Sequence, residues 1–153
     1  MEKLLHYVWM HKLLPSRTLT TTDGKAIEIL DPGQHNGNQG PDFLNARIKT
    51  DDIIWAGNVE IHTSSSDWNK HKHHMDPVYN TTILHVVEKA DSEIRTQSGQ
   101  IVPQVTISVP QNIKDNYEEL LRTTDYPRCH KFVQNIEPIK AHAWFDALLA
   151  ERM

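Results

Sequence analysis

The sequence predicts an α/β (α+β) domain, a mixed central sheet flanked by helices. Three observations carry this prediction. Leu4, Leu5, Val8, Trp9 and Leu13 recur at helical spacing near the N-terminus. Two alternating strand patterns follow back to back, DFLNARIKT (42–50) and IIWAGNVEIHT (53–63), with a turn at Asp51-Asp52. A short polar helix pattern then precedes an apolar strand near 82–88, and a sheet with helices on its faces accommodates that order most simply.

In chain order, the first helix is expected over 2–14, with Pro15 ending it. Residues 18–25 are polar with a turn at Asp23-Gly24, and 26–30 read as a short strand closed by Asp31-Pro32-Gly33. GQHNGNQGP (33–41) reads as a loop whose position before Asp42 makes it the rim of a site, with His35 and Asn36 as substrate-binding candidates. SSSDWNKHKHHMD (64–76) predicts a helix near 66–75, capped by Ser66 or Asp67 and stopped by Pro77. EIRTQSGQIVPQVTISV (93–109) reads as a hairpin turned at Ser98-Gly99. Helices follow at 112–123 and 139–152. The expected division is a core over 1–110 and a helical extension over 111–153, and the last helix pattern stops without a C-cap signal, which predicts a longer parent protein.

Composition narrows the classes. A chain of 153 residues with net charge −4 can bury a core and offers no bulk field for nucleic acid or a membrane surface. A nucleic-acid partner would need a local patch, for which Arg47, Lys49, Lys70 and Lys72 are the candidates. The single cysteine, Cys129, excludes an intrachain disulfide and fits a reducing compartment. No signal peptide and no long apolar run is present, so a cytoplasmic location and no membrane partner are expected; oligomeric state is left open.

The chemistry concentrates between residues 40 and 87. Glu60 and His62 share one face of their strand while Val59 and Ile61 share the other, so the apolar pair is expected to face the core and the polar pair to be accessible. Asp42 arrives from the neighbouring strand, and a carboxylate pair beside an imidazole suits metal binding or acid–base work. Four of the ten histidines lie between His62 and His74. An alternative metal set is His62, His71, His73, Asp76 and His85, suited to Zn²⁺, whereas carboxylates with water suit Mg²⁺ or Mn²⁺.

The runs GPDFLNARI, WAGNVEIHTSSSDW, H-x-H-x-x-D-x-x-Y and ILHVV resemble an uncharacterised bacterial family, domain of unknown function 2851, across the whole chain; that resemblance implies no activity. Pro41-Asp42 followed by Glu60-Ile61-His62 is similar to the PD-(D/E)xK phosphodiesterase signature. This second resemblance implies a restriction-endonuclease-like core of one helix, three strands, a helix and a strand. It also implies Mg²⁺ or Mn²⁺ held by Asp42, Glu60 and the backbone carbonyl of Ile61, and DNA or RNA as substrate. His62 stands where that superfamily has lysine, with Lys70 or Lys72 as substitute cations, and the resemblance implies that His62→Lys keeps activity. Glu2 and Glu28 are the candidates for its helix-borne acid, and Arg47 joins the substrate-binding set.

Each selection has a plainer reading. Asp42 can brace a loop-to-strand junction. Glu60 and His62 can form an exposed sheet face paired with Arg47 or Lys49 across the strands. His71, His73 and His74 can be solvated, and His85 a satisfied core residue. Ser64-Ser65-Ser66 lacks a nucleophile-elbow pattern, and Cys129-His130 are chain neighbours rather than a dyad. A non-catalytic binding module on a nuclease-derived scaffold is the third functional possibility.

Overall fold

The computed structural model describes residues 2–14, 18–124 and 135–150. Pro15, and the segment with Cys129 and His130, lie outside the described residues. Cα packing separates two compact units, 1–109 and 110–153.

In the first unit, helix α1 (Glu2–Met10) buries Leu4, Leu5, Val8 and Trp9. It ends before the expected 14. Lys12 takes a left-handed conformation (φ 50°), its N–H bonds the carbonyl of Trp9, and the N–H of Leu13 bonds that of Val8. This Schellman motif supplies the stop that the sequence pattern assigns to Pro15. The indole of Trp9 donates to the carbonyl of Pro32 (3.0 Å), and Lys12 Nζ donates to that of Leu30 (2.8 Å), tying both ends of the last turn to the sheet.

Strands β1 (Thr18–Thr20), β2 (Ala26–Asp31), β3 (Gln34–His35), β4 (Phe43–Thr50), β5 (Ile53–Ser64), β6 (Thr82–Lys89) and β7 (Gln104–Thr106) form one mixed sheet. Its order is β1-β2-β4-β5-β6-β7, with β3 on β4. Pairing is antiparallel from β1 to β5 and parallel for β5–β6 and β6–β7. Two short strands, β1 and β3, thus occupy segments expected as loop. The predicted hairpin over 93–109 forms only at its tip, where Arg95 bridges Ile101 around Gly99; its second arm leaves to run parallel to β6. The sheet curls enough that its edges meet: Thr21 bridges Val105, and Thr22 N–H bonds the carbonyl of Gln104 (2.8 Å).

The parallel step from β5 to β6 is made by helix α2 (Asp67–Lys70) and two 3₁₀ turns, His73–Met75 and Pro77–Thr81. The predicted single helix is broken because Lys72 is left-handed (φ 64°) and Asp76 caps the next turn through Val78 N–H. Trp68, Tyr79, Ile94 and Val102 pack together beneath this crossover.

In the second unit, α3 (Gln111–Arg122) and α4 (Pro138–Ala150) fall within two residues of the expected helices. Among the described residues no helix is long and apolar enough to cross a membrane.

Candidate metal centre

Two register shifts on β5 shape the site. On the β4 side a bulge lies between Phe43 and Ala46, with Asn45 at φ 57°. On the β6 side the register slips between Asn58 and Val59. Gly57 sits at this step, where a Cβ would come within 2.6 Å of the carbonyl of Thr81. Bulges re-aim side chains, and both of these lie immediately before Glu60.

The result is a reciprocal lock. The N–H of Asp42 donates to Glu60 Oε2 (3.0 Å), and Asp42 Oδ2 accepts the N–H of Ile61 (2.9 Å). Asp42 therefore braces its strand junction, in line with the plainer reading, and is at the same time brought beside Glu60. The loop before it is held by Asn36, whose N–H bonds the carbonyl of Asp42 (2.7 Å) and whose side chain bonds Pro41 and Gln39.

The expected accessibility of the polar face is wrong: Glu60 is 4% and His62 1% exposed. Alternation identifies a polar face but not its cover, which is the crossover of residues 67–81. His73 Nε2 approaches Glu60 Oε1 at 3.1 Å, and His62 Nε2 approaches the same oxygen at 3.5 Å. His62 Nε2 also lies 3.0 Å from His71 Nδ1. His62, His71 and His73 each present a ligand atom within 4.8 Å of the others. His73 is buried rather than solvated and is stacked on Tyr79, with ring centroids 3.9 Å apart.

Sequence reasoning missed His6. It sits on α1 with Nε2 3.3 Å from Asp42 Oδ2. His6 Nε2 and His73 Nε2 are buried and close to carboxylates, yet neither is aligned for a hydrogen bond. Two buried nitrogens without partners, both aimed at carboxylates, fit a centre that takes a cation. Glu2, one turn before His6, acts electrostatically on Glu60, His6 and His73. The sequence signal for His6 was a polar residue within the first helix pattern, one turn from Glu2.

The other candidates fall outside the cluster. Arg47 pairs with Asp31 (3.4 Å) and registers with Ala56, while Lys49 registers with Ile54, so neither crosses to Glu60 or His62. Lys70 is bound to Asp67 (2.6 Å) and Lys72 is exposed. Asp76 is used as a cap. His85 turns Nε2 to His62 Nδ1 (2.8 Å) and Nδ1 to Gln104 (3.3 Å), so it stands behind His62 rather than among the gathered ligand atoms. His35 packs its ring against His6 and Phe43.

Burial, reinforced by the Asp42 carboxylate, pushes Glu60 up to about 9. Burial and the neighbouring imidazoles of His85, His73 and His71 push His62 down to about 3. Burial lowers His73 and brings His85 to about 4. Burial would lower His6 as well, but its contact with Asp42 outweighs this and leaves it raised. Burial thus favours the neutral form of His62, His73 and His85, the form in which histidine ligates metals.

A family model described as "Protein of unknown function (DUF2851)" matches residues 2–153. The chain belongs to the DUF2851 family. No curated protein and no solved structure matches it. The DUF2851 description assigns no ligand, so the centre's chemistry has to be read from its own residues. In this DUF2851 chain Glu60 meets His62 and His73, His71 closes the cluster from the exposed side, and Asp42 is fixed next to Glu60.

Proposed function

We propose that this protein is a metal-dependent phosphodiester hydrolase acting on nucleic acid, with a nitrogen-accepting divalent ion, Mn²⁺ or Zn²⁺, in place of Mg²⁺. The observation that carries the proposal is the gathering of His62, His71 and His73, with Glu60 against His62 and His73 and Asp42 tied beside Glu60 through backbone hydrogen bonds. With the short strands β1 and β3 set aside, the order α1, β2, β4, β5, α2, β6 follows the helix, three strands, helix and strand that the second resemblance implies, which supports the reading. Mixed carboxylate and imidazole donors favour Mn²⁺ or Zn²⁺, since Mg²⁺ takes oxygen donors almost exclusively.

Glu60, His62 and His73 would hold the ion, with Asp42 and His71 completing the set. Ile61 meets Asp42 through its N–H, which ties this strand edge to the second acid. A bound ion would polarise a phosphoryl oxygen and acidify a water. The chain's own contribution is positioning. The register shifts against β4 and β6 flank Glu60, the Ile61 N–H fixes Asp42, and Tyr79 and Trp68 pack on His73 and restrict its ring. His71, the exposed member, closes the cluster on its solvent side.

Burial of Glu60 and His62 favours a second reading, a structural metal centre without turnover. One experiment separates the two. The full chain is incubated with single- and double-stranded DNA and RNA and with a small phosphodiester, in Mg²⁺, Mn²⁺ or Zn²⁺. Cleavage supported by Mn²⁺ or Zn²⁺ and lost in Glu60→Gln supports the hydrolase. Tight metal binding with no cleavage of any substrate leaves the structural centre as the reading.

A further inference from the structure

We infer that Gln104, remote from the cluster, is a positioning residue that fixes the tautomer of His62 through His85, so that His62 presents the bare lone pair of Nε2 to the centre. The tautomers follow from geometry alone; their consequence for metal binding rests on the function proposed above.

The order of donors and acceptors starts at a carbonyl. Gln104 Nε2 lies 2.8 Å from the carbonyl of Ser92, a contact that only the amide nitrogen can make as donor. Gln104 Oε1 therefore faces the opposite way, where it accepts from Ser65 Oγ and lies 3.3 Å from His85 Nδ1. An amide oxygen donates nothing, so His85 Nδ1 carries the hydrogen. His85 is wholly buried and its ring nitrogens meet only His62 and Gln104, neither of them a carboxylate, so it holds a single ring hydrogen and its Nε2 is bare. That bare nitrogen lies 2.8 Å from His62 Nδ1, so His62 must donate there, and its own Nε2 is left without a hydrogen. His62 Nε2 is the atom that faces Glu60 and His71.

The backbone holds the origin of this relay in place. Thr22 N–H bonds the carbonyl of Gln104, His85 N–H bonds that of Pro103 (2.9 Å), and His85 registers with Gln104 across β6 and β7. Such outer partners orient ligating histidines and fix their tautomers.

Removing the acceptor releases the order. In Gln104→Leu, His85 is free to carry its hydrogen on Nε2 and donate to His62 Nδ1. His62 then carries its hydrogen on Nε2, directed into the centre, where it cannot ligate. Gln104→Glu keeps an acceptor for His85 and should preserve the order at pH 8.

The test is nitrogen-15 NMR of the imidazole rings in the metal-free full chain, with His62 and His85 assigned by single substitution. Nδ1–H in both rings of the wild type is expected, and Nε2–H in either overturns the inference. Titration with Zn²⁺ or Mn²⁺ is the second readout. Gln104→Leu should weaken binding about 10–100-fold, with Gln104→Glu restoring most of it. Wild-type affinity in a folded Gln104→Leu would overturn the role of Gln104. Correct tautomers in a wild type that binds neither ion uphold the inference and overturn the metal reading instead. If Gln104→Leu does not fold, the wild-type spectrum and Gln104→Glu decide the matter.

Discussion

The carboxylate of Glu60 accepts the backbone N–H of Asp42 at 3.0 Å, so the acid on β5 holds in place the chain segment that carries the second acid. A change at Glu60 therefore acts twice, on the ligand set and on the position of its neighbour.

Metal binding should release protons. Glu60 retains its proton up to about 9 in the metal-free protein, and an ion must displace it. Calorimetric titration with Zn²⁺ or Mn²⁺ at pH 7, repeated in buffers of different ionisation enthalpy, should show net proton release. Apparent affinity should rise by up to about tenfold per pH unit toward pH 9. Glu60→Gln should bind at least about 100-fold more weakly, beyond the usual cost of an outer-shell change. Affinity independent of pH would contradict the assignment of Glu60.

Stability without metal should depend on pH in two opposed ways. The folded value of Glu60, about 9, lies above its ordinary 4.5, so its contribution is present at low pH and lost as pH rises toward 9. His62 and His85, at about 3 and 4 against an ordinary 6.5, contribute fully above 6.5 and lose that contribution as pH falls. Melting temperature in a chelator should therefore peak near neutrality. Saturating Zn²⁺ should remove the alkaline decline by holding Glu60 ionised, and a flat profile between pH 6.5 and 9 would contradict this account.

His62→Lys is expected to lose function, a reversal of what the nuclease resemblance implies. His62 is buried and meets His85 through one ring nitrogen and the cluster through the other, and a lysine has a single nitrogen that cannot serve both. Metal binding by His62→Lys, measured beside His62→Ala, should be equally poor; near-normal binding by the lysine variant would restore the simpler analogy.

Gly57→Ala tests how the bulges position the site. The added Cβ would meet the carbonyl of Thr81 at 2.6 Å, which side-chain rotation cannot relieve. A destabilisation on the order of 2 kcal/mol is expected from forcing this contact. Metal affinity should fall too, although Gly57 touches no ligand, because the β5–β6 register beside Glu60 would shift. Urea unfolding and metal titration of the same variant check both effects.

Much of the sheet was legible because period-2 alternation survives wherever one face differs from the other, as in NVEIH. Burial of that polar face was not legible. Its cover comes from a segment broken by a left-handed Lys72 and capped by Asp76, and no local periodicity marks such a turn. His73 was therefore read as solvated by default. β3 has two residues and leaves almost no pattern, and β7 was hidden because its pairing partner is β6 rather than the arm before it. His6 and Gln104 reach the site only through tertiary contact.

The meeting of Thr21 and Thr22 with Gln104 and Val105 has a consequence for how the molecule is made. Contacts so distant along the chain close late, because loop entropy is lost before they form. During synthesis the histidines at 62, 71 and 73 emerge well before Gln104 does. A nascent chain thus displays the imidazoles as a loose chelator before the strand that orders them exists. On the metal reading proposed above, loading of an ion becomes a matter of timing: refolding in a chelator and adding metal afterwards should give more native protein than refolding with metal present.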